Sequence, residues 1–192
     1  CKFYEDKLED IYSCNIKTEN KPIETFTFNA ESYPTPAIKQ QKVKAVIPVF
    51  PGTNCEYDTA KSMLRAGIEP EIIVLNNLTA KGIDNSIERF VKAASDSQLI
   101  FIPGGFSGGD EPDGSGKFIT AFFRNEAVKD CVHDLLKNRD GLMAGICNGF
   151  QALIKLGLVP YGEIIDTDEN CPTLTYNTIG RHQSMLVRTR VA

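Results

Sequence analysis

The sequence predicts an α/β domain of the flavodoxin-like kind, a three-layer sandwich with a mostly parallel sheet between helices. Three observations predict it. From residue 42 onward short apolar runs alternate with segments of helical period, the pattern of repeated βαβ units. Glycine or proline stands at most of the junctions between them. One junction, from an apolar run into a helical segment, holds a cysteine between two glycines.

The elements follow in order. Residues 43–49 (VKAVIPV) form a first strand, and Pro51-Gly52-Thr53-Asn54 a turn whose Thr53 or Asn54 is placed to cap a helix over 56–66 that Gly67 ends. Residues 72–75 are a second strand, and Ile87, Phe90, Val91 and Ala94 fall at i, i+3, i+4 and i+7 on one helix face. A third strand covers 99–102, and the glycine-rich loop 103–116 leads into helical stretches carrying Phe118, Phe122 and Phe123, then Val128, Cys131, Val132, Leu135 and Leu136. Residues 141–146 are a short buried strand ending at Cys147. Phe150, Leu153 and Ile154 then mark a helix closed by Gly157 and Pro160. Residues 173–178 and 183–191, rich in Thr, Tyr and Val, add strands near the sheet edge.

Composition bounds the function. With 192 residues, 42% hydrophobic and 24% charged, the chain can bury one ordinary core and carry a modest appendage. A net charge of −4 and the absence of any Lys/Arg run give no electrostatic reason to bind nucleic acid. No apolar stretch approaches the roughly 20 residues that span a bilayer, and the opening CKFYEDKLED lacks the apolar core of a signal peptide. The expectation is a cytoplasmic protein without a membrane partner. Six cysteines (Cys1, Cys14, Cys55, Cys131, Cys147, Cys171) show no CxxC pairing, so they read as reduced thiols, with neither a disulfide scaffold nor a metal site. Residues 1–41 are polar and Pro-punctuated and read as a linker or wrapping arm ahead of a domain over 42–192. The opening Cys1 and the strand-like ending Arg190-Val191-Ala192 suggest a piece of something larger.

Gly145-Ile146-Cys147-Asn148-Gly149 has the form of a nucleophile elbow with a thiol in place of a hydroxyl. There the side chain stands above the carboxyl ends of the strands, and the N–H groups of the helix beginning beside it favour negative charge on the sulfur and on a nearby oxyanion. A small buried cysteine at a strand end is the bland alternative, which the flanking glycines disfavour. The loop Ile102-Pro103-Gly104-Gly105-Phe106-Ser107 leaves the preceding strand through two glycines, so its amides can approach a substrate in the same crevice. A glycine-rich surface loop or a phosphate cradle is the rival there, and the loop spells neither GxGxxG nor a P-loop. Gln151, one turn beyond Cys147, faces the helix entrance, where its amide could contact a polar substrate; from spacing alone a surface or capping glutamine fits nearly as well.

Three segments together, Pro51-Gly52-Thr53-Asn54-Cys55-Glu56, Pro103-Gly104-Gly105-Phe106-Ser107-Gly108-Gly109-Asp110 and Gly145-Ile146-Cys147-Asn148-Gly149-Phe150-Gln151, resemble the glutaminase domains of phosphoribosylformylglycinamidine synthases. These are a branch of the class I glutamine amidotransferases. The segment Asn177 to Arg181 also resembles one found there, although His182 stands where Phe is usual. The resemblance implies hydrolysis of glutamine through a Cys147 thioester, with ammonia passed to an ATP-dependent synthase of purine biosynthesis. It implies Gly104, Gly105 and Asn148 as oxyanion-site residues through their backbone, Gln151 in the glutamine pocket, and residues 1–41 as a connector from a synthase region. It also implies no cofactor in this domain, with ATP and magnesium on the synthase part.

Thioester chemistry needs an imidazole, usually oriented by a carboxylate, and only His133 and His182 are present. His133 sits on a helix face, and Ser184 stands where a His-x-Glu would carry its acid. The base and its acid are therefore expected beyond Ala192, and little or no turnover from these residues alone. Three rival readings remain. One is a cysteine hydrolase of the same fold, which typically has His after the nucleophile where this chain has Asn148. A second is an N-terminal nucleophile at Cys1, and the third a non-catalytic flavodoxin-like binding module.

Overall fold

The computed structural model describes residues 32, 35–108, 116–174, 177, 179, 180, 182–184, 186 and 187. The chain divides into two compact units, Cys1–Thr35 with Tyr176–Ala192, and Pro36–Thr175. The second unit holds every regular element among the described residues.

Four strands, β1 (Val43–Val49), β2 (Ile68–Val74), β3 (Leu99–Ile102) and β4 (Leu142–Gly145), pair in the order β2-β1-β3-β4, all parallel. This is the flavodoxin-like order, in which the chain reverses direction across the sheet between β1 and β3 and leaves a crevice at their carboxyl ends. Alternation along the strands sorts the core into two faces. Ala45, Ile47, Leu99 and Phe101 meet Met63 of α1 (Glu56–Arg65) on one side. On the other, Val46, Ile73, Ile100 and Ile102 meet α2 (Ala80–Ser95), α3 (Lys117–Phe123), α4 (Glu126–Lys137) and α5 (Asn148–Leu156). The two faces are unevenly covered: Leu142, 68% exposed, and Ile146, 59% exposed, lie bare beside α1.

The helix-rich face is anchored by rings. Phe50, just past β1, stacks edge-on with Phe118 and Phe122 at 6.1 and 5.5 Å, and Phe90 meets Phe122 and Phe123 at 5.3 and 5.6 Å. The turn that follows β1 therefore starts from an immobilised side chain. Arg139 ties two helices together. Its guanidinium donates to the carbonyls of Ala94, Ser95 and Ser97 at the end of α2, each at 2.9 Å, and to Asp134 Oδ2 of α4 at 2.8 Å. Three of these charge-assisted bonds satisfy carbonyls that the helix itself leaves open, and the fourth pairs the guanidinium with a carboxylate.

Four expectations need correction. β2 starts at Ile68, four residues early, because pairing with β1 from Val43↔Ile68 onward overrides the polar Glu69 and Glu71 and the imino Pro70 on an edge strand. Neither Thr53 nor Asn54 caps α1: the N-cap is Cys55 at φ 68°, and the Thr53 hydroxyl instead accepts from Phe50 N. Pro160 does not end a helix but lies in the short helix α6 (Leu158–Tyr161), since a proline is tolerated in a first turn that has no earlier carbonyl to meet. Finally, none of the described residues in 173–178 or 183–191 is in a strand, because β-propensity alone does not make one; the others of these segments lie outside the described residues.

Arg139→Met should lower the free energy of unfolding by about 1.5–3 kcal/mol, since several charge-assisted bonds to helix-end carbonyls go at once. Urea denaturation measures it, and a loss under about 0.5 kcal/mol would show that water replaces the guanidinium without cost.

Candidate active site

The crevice is built from three loops at the carboxyl ends of β1, β3 and β4. The first, residues 50–54, closes on itself through Thr53 N donating to Phe50 O at 2.9 Å and Phe50 N to Thr53 Oγ1 at 3.0 Å. It then zips along the second, residues 103–108. Asn54 N donates to Gly104 O at 2.9 Å, Phe106 N to Gly52 O at 2.8 Å and Gly108 N to Pro51 O at 3.1 Å, with Thr53 bridging antiparallel to Gly105. Gly105 has to be glycine: at φ +145° a Cβ would come within 2.4 Å of Gly52 O and 2.7 Å of Asn54 N. Because Gly104 O faces the turn, the trans peptide directs Gly105 N–H the opposite way.

The third loop is the elbow. Cys147 is exposed and holds φ 54°, ψ −109°, a conformation uncommon for a side-chain-bearing residue and typical of strained functional turns. The surrounding backbone imposes it: α5 starts so close to the sheet that a Cβ on Gly149 would lie 2.2 Å from Ile102 O, and one on Gly145 2.7 Å from the Gly149 carbonyl carbon. Gly104 sits directly against Cys147, its Cβ position 3.3 Å from Cys147 Cβ and 4.0 Å from Sγ. Among the described residues no acceptor engages the N–H groups of Gly104, Gly105 or Asn148.

The expected site residues thus come together. Asn148 does more than its sequence position suggested, for its side chain, 1% exposed, accepts from Ser107 N through Oδ1 at 3.2 Å and donates from Nδ2 to Gln151 Oε1 at 3.4 Å. Gln151 is therefore joined to the glycine loop through Asn148. Ser107 is 3% exposed, and its hydroxyl is a buried polar group with no partner among the described residues. Sequence reasoning missed both contacts and the zipped loops. Only the buried position of Asn148 between two required glycines could have signalled the first.

His133 takes no part in this arrangement. His133 Nε2 accepts from Ile164 N at 3.0 Å, which fixes the ring neutral with its proton on Nδ1. Burial first, then Lys137 and Lys129, hold its pKa below the ordinary value of 6.5, against the opposing pull of Glu163 and Asp130. His182 is exposed and belongs to the other unit. Among the remaining described thiols, Cys131 is buried and pushed up by that burial, Cys171 Sγ donates to Asp168 Oδ1 at 3.5 Å, and Cys55 is exposed. No group of His, Cys, Asp and Glu among the described residues could hold a metal ion.

Two outcomes follow from the geometry. A histidine whose folded-state pKa is lowered contributes stability that is present in full above the unfolded-state value near 6.5 and is lost as pH falls through the lowered value. His133→Gln should accordingly flatten the fall of the thermal midpoint between about pH 7 and pH 5, and an unchanged slope would remove His133 from the acid response. Under limiting alkylation read by mass spectrometry, a glutamine-mimicking electrophile should label Cys147 first and Cys131 last. Prior labelling of Cys55 would assign the reactive thiol elsewhere.

Comparison with known proteins bears on the same residues. The profile of the CobB/CobQ-like glutamine amidotransferase domain matches residues 42–192. The phosphoribosylformylglycinamidine synthase subunit PurQ of Dehalococcoides mccartyi is 35% identical over 142 residues, 74% of this chain and 50% of that subunit. Its counterpart in Treponema denticola is 35% identical over 150 residues, 74% of this chain and 51% of that one. A chain of the solved PurLQS structure from Thermotoga maritima is 31% identical, with a TM-score of 0.42 over 62% of this chain and 46% of that chain. The chain spans about half the length of the curated relatives it matches. With the family profile matched over most of its length and a thiol elbow at the carboxyl end of a 2-1-3-4 parallel sheet, this chain belongs to the CobB/CobQ-like glutamine amidotransferase domain family.

Proposed function

We propose that the chain acts as the glutaminase part of a phosphoribosylformylglycinamidine synthase. The observation that carries this is the packing of the Gly104 backbone against Cys147, together with N–H groups of Gly104, Gly105 and Asn148 that have no acceptor among the described residues. Cys147 Sγ, as thiolate, adds to the carboxamide carbon of glutamine, and the carbonyl oxygen takes the negative charge. Amide donors that are already oriented stabilise that charge without reorganising, each contributing about 3–4 kcal/mol to the barrier where such donors have been removed. Collapse of the tetrahedral species breaks the C–N bond, the nitrogen leaves as ammonia with a proton from a general acid, and water then converts the glutamyl thioester to glutamate.

Gln151 stands in the glutamine pocket, four residues after the nucleophile. The proton-transfer group is neither of the chain's histidines. His133 is committed to Ile164 N, and His182 lacks an acid two residues on, where Ser184 stands. The base is assigned to a part of the longer relatives that these 192 residues do not include. The name of the relatives supports a synthase as partner. The ammonia passes to that synthase, whose ATP and magnesium drive amidation of formylglycinamide ribonucleotide to formylglycinamidine ribonucleotide.

Glutamate release from glutamine, measured with and without the synthase partner, tests the assignment. Cys147→Ala should abolish it by about a thousandfold or more, His182→Ala should leave it unchanged, and the chain alone should turn over slowly. Turnover that survives Cys147→Ala would refute the thioester route, and turnover lost on His182→Ala would make that histidine the base.

A further inference from the structure

The polar contacts around Asn148 have a direction. A backbone N–H can only donate, so the 3.2 Å bond from Ser107 N fixes which end of the Asn148 amide is oxygen. The other end, Nδ2, must then donate, and it faces Gln151 Oε1 at 3.4 Å. That in turn fixes the Gln151 amide, with its oxygen turned inward to Asn148 and its two Nε2 hydrogens left to face elsewhere. Water cannot reverse the series, because Asn148 is 1% exposed and its amide has a partner at both ends. The Ser107 hydroxyl, which could donate or accept, takes no part.

We propose that Asn148 is a positioning residue that sets the hydrogen-bond polarity of Gln151, so that Gln151 offers an amide donor, and not a carbonyl oxygen, to an acceptor group of the bound glutamine. This rests on the reading that glutamine binds beside Cys147. It goes beyond that reading by assigning a side-chain role to Asn148, whose backbone alone would serve the oxyanion, and by fixing the chemical sense in which Gln151 selects its ligand. The substrate group opposite Gln151 is an acceptor, a carboxylate or carbonyl oxygen.

The relay makes the isosteric change Asn148→Asp informative. An ionised carboxylate accepts at both ends, so Gln151 must turn its Nε2 inward and present Oε1 to the substrate, where two acceptors repel. A protonated carboxyl accepts from Ser107 N and donates its O–H to Gln151, which restores the parent polarity. Burial raises the carboxyl pKa toward the range where this can be observed. Gln151→Glu reverses the outward group without touching residue 148: as a carboxylate it presents an acceptor, and when protonated it can present a donor again.

The experiment follows inactivation of Cys147 in the full chain by a glutamine-mimicking chloroketone across about pH 5 to 8.5, with iodoacetamide as an electrophile that lacks the glutamine groups. At the alkaline end Asn148→Asp should weaken saturable capture of the chloroketone by about 10- to 100-fold, the loss of one hydrogen bond to a charged group. Its iodoacetamide rate at Cys147 reports what the new carboxylate does to the neighbouring thiol, and the loss of chloroketone capture should exceed any loss of that rate by about tenfold or more. The capture deficit should shrink toward the parent's value as pH falls through the carboxyl's pKa. A deficit that is the same at every pH, or an iodoacetamide rate that falls in parallel, would overturn the relay and leave Asn148 a packing residue. Should Asn148→Asp fail to fold, Gln151→Glu decides alone: capture as tight as the parent's at the alkaline end overturns the donor assignment, and weak capture that recovers on acidification supports it. If the parent chain shows no saturable capture by the chloroketone, the glutaminase reading itself fails, and the polarity assignment goes with it.

Discussion

The carbonyl of Ile102 marks where helix α5 meets the sheet, and there is no room for a side chain at that point. A Cβ on Gly149 would lie 2.2 Å from Ile102 O and one on Gly145 2.7 Å from the Gly149 carbonyl carbon, while Gly104 is held more loosely, its Cβ position 3.3 Å from Cys147 Cβ. With those atoms absent, β4 can end, reverse and begin α5 in two residues, which forces Cys147 into φ 54°. Strain of this kind costs about 1–3 kcal/mol and persists only where the surroundings hold it. Here Ala152, Leu153 and Leu156 of α5 are buried against the sheet and α3, each large side chain adding about 1.5–3 kcal/mol to the favourable side. Cys147 is exposed because the helix behind it is not.

The same economy of atoms shapes the glycine loop. Gly104 and Gly105 approach Cys147 and the 50–54 turn as bare backbone, and five hydrogen bonds and a ring cluster rooted in Phe50 hold that turn in place. A polar side chain performing the oxyanion task would bring rotameric freedom; a peptide held by Asn54 N has none to lose. The rigidity comes from one side of the sheet. Four helices cover the face that carries Ile100 and Ile102, whereas α1 alone covers the face of Leu99 and Phe101. The elements that position the crevice therefore all belong to the better-packed half.

How much of this could be read in the sequence depended on how local the cause was. The elbow was legible because tight turning demands glycine at fixed offsets from the nucleophile, and Gly145 and Gly149 stand there. The strands 43–49 and 99–102 were legible because β1 and β3 lie inside the sheet and their sequences are almost wholly apolar. β2 was only half visible, since an edge strand keeps Glu69 and Glu71 in the ladder and shows no apolar run there. Arg139 gave no signal at all. Within Asn138-Arg139-Asp140-Gly141 it reads as a charged turn, and its three carbonyl partners lie more than 40 residues away. The role of Thr53 failed for a related reason: a hydroxyl near a helix start has several backbone donors within reach, and composition does not say which one wins.

The groups set beside Cys147 have one chemical character. Gly104 and Gly105 contribute peptide, Asn148 and Gln151 contribute carboxamide, and none of these titrates at ordinary pH. Such a site can orient an amide substrate and hold an oxyanion, but it cannot move a proton, because every donor in it returns to the same state it left. The one imidazole of this unit is tied to Ile164 N, and burial and two lysines keep it neutral. The described groups at the elbow therefore bind and orient, and the glutaminase proposed for this chain takes its proton-transfer group from outside them.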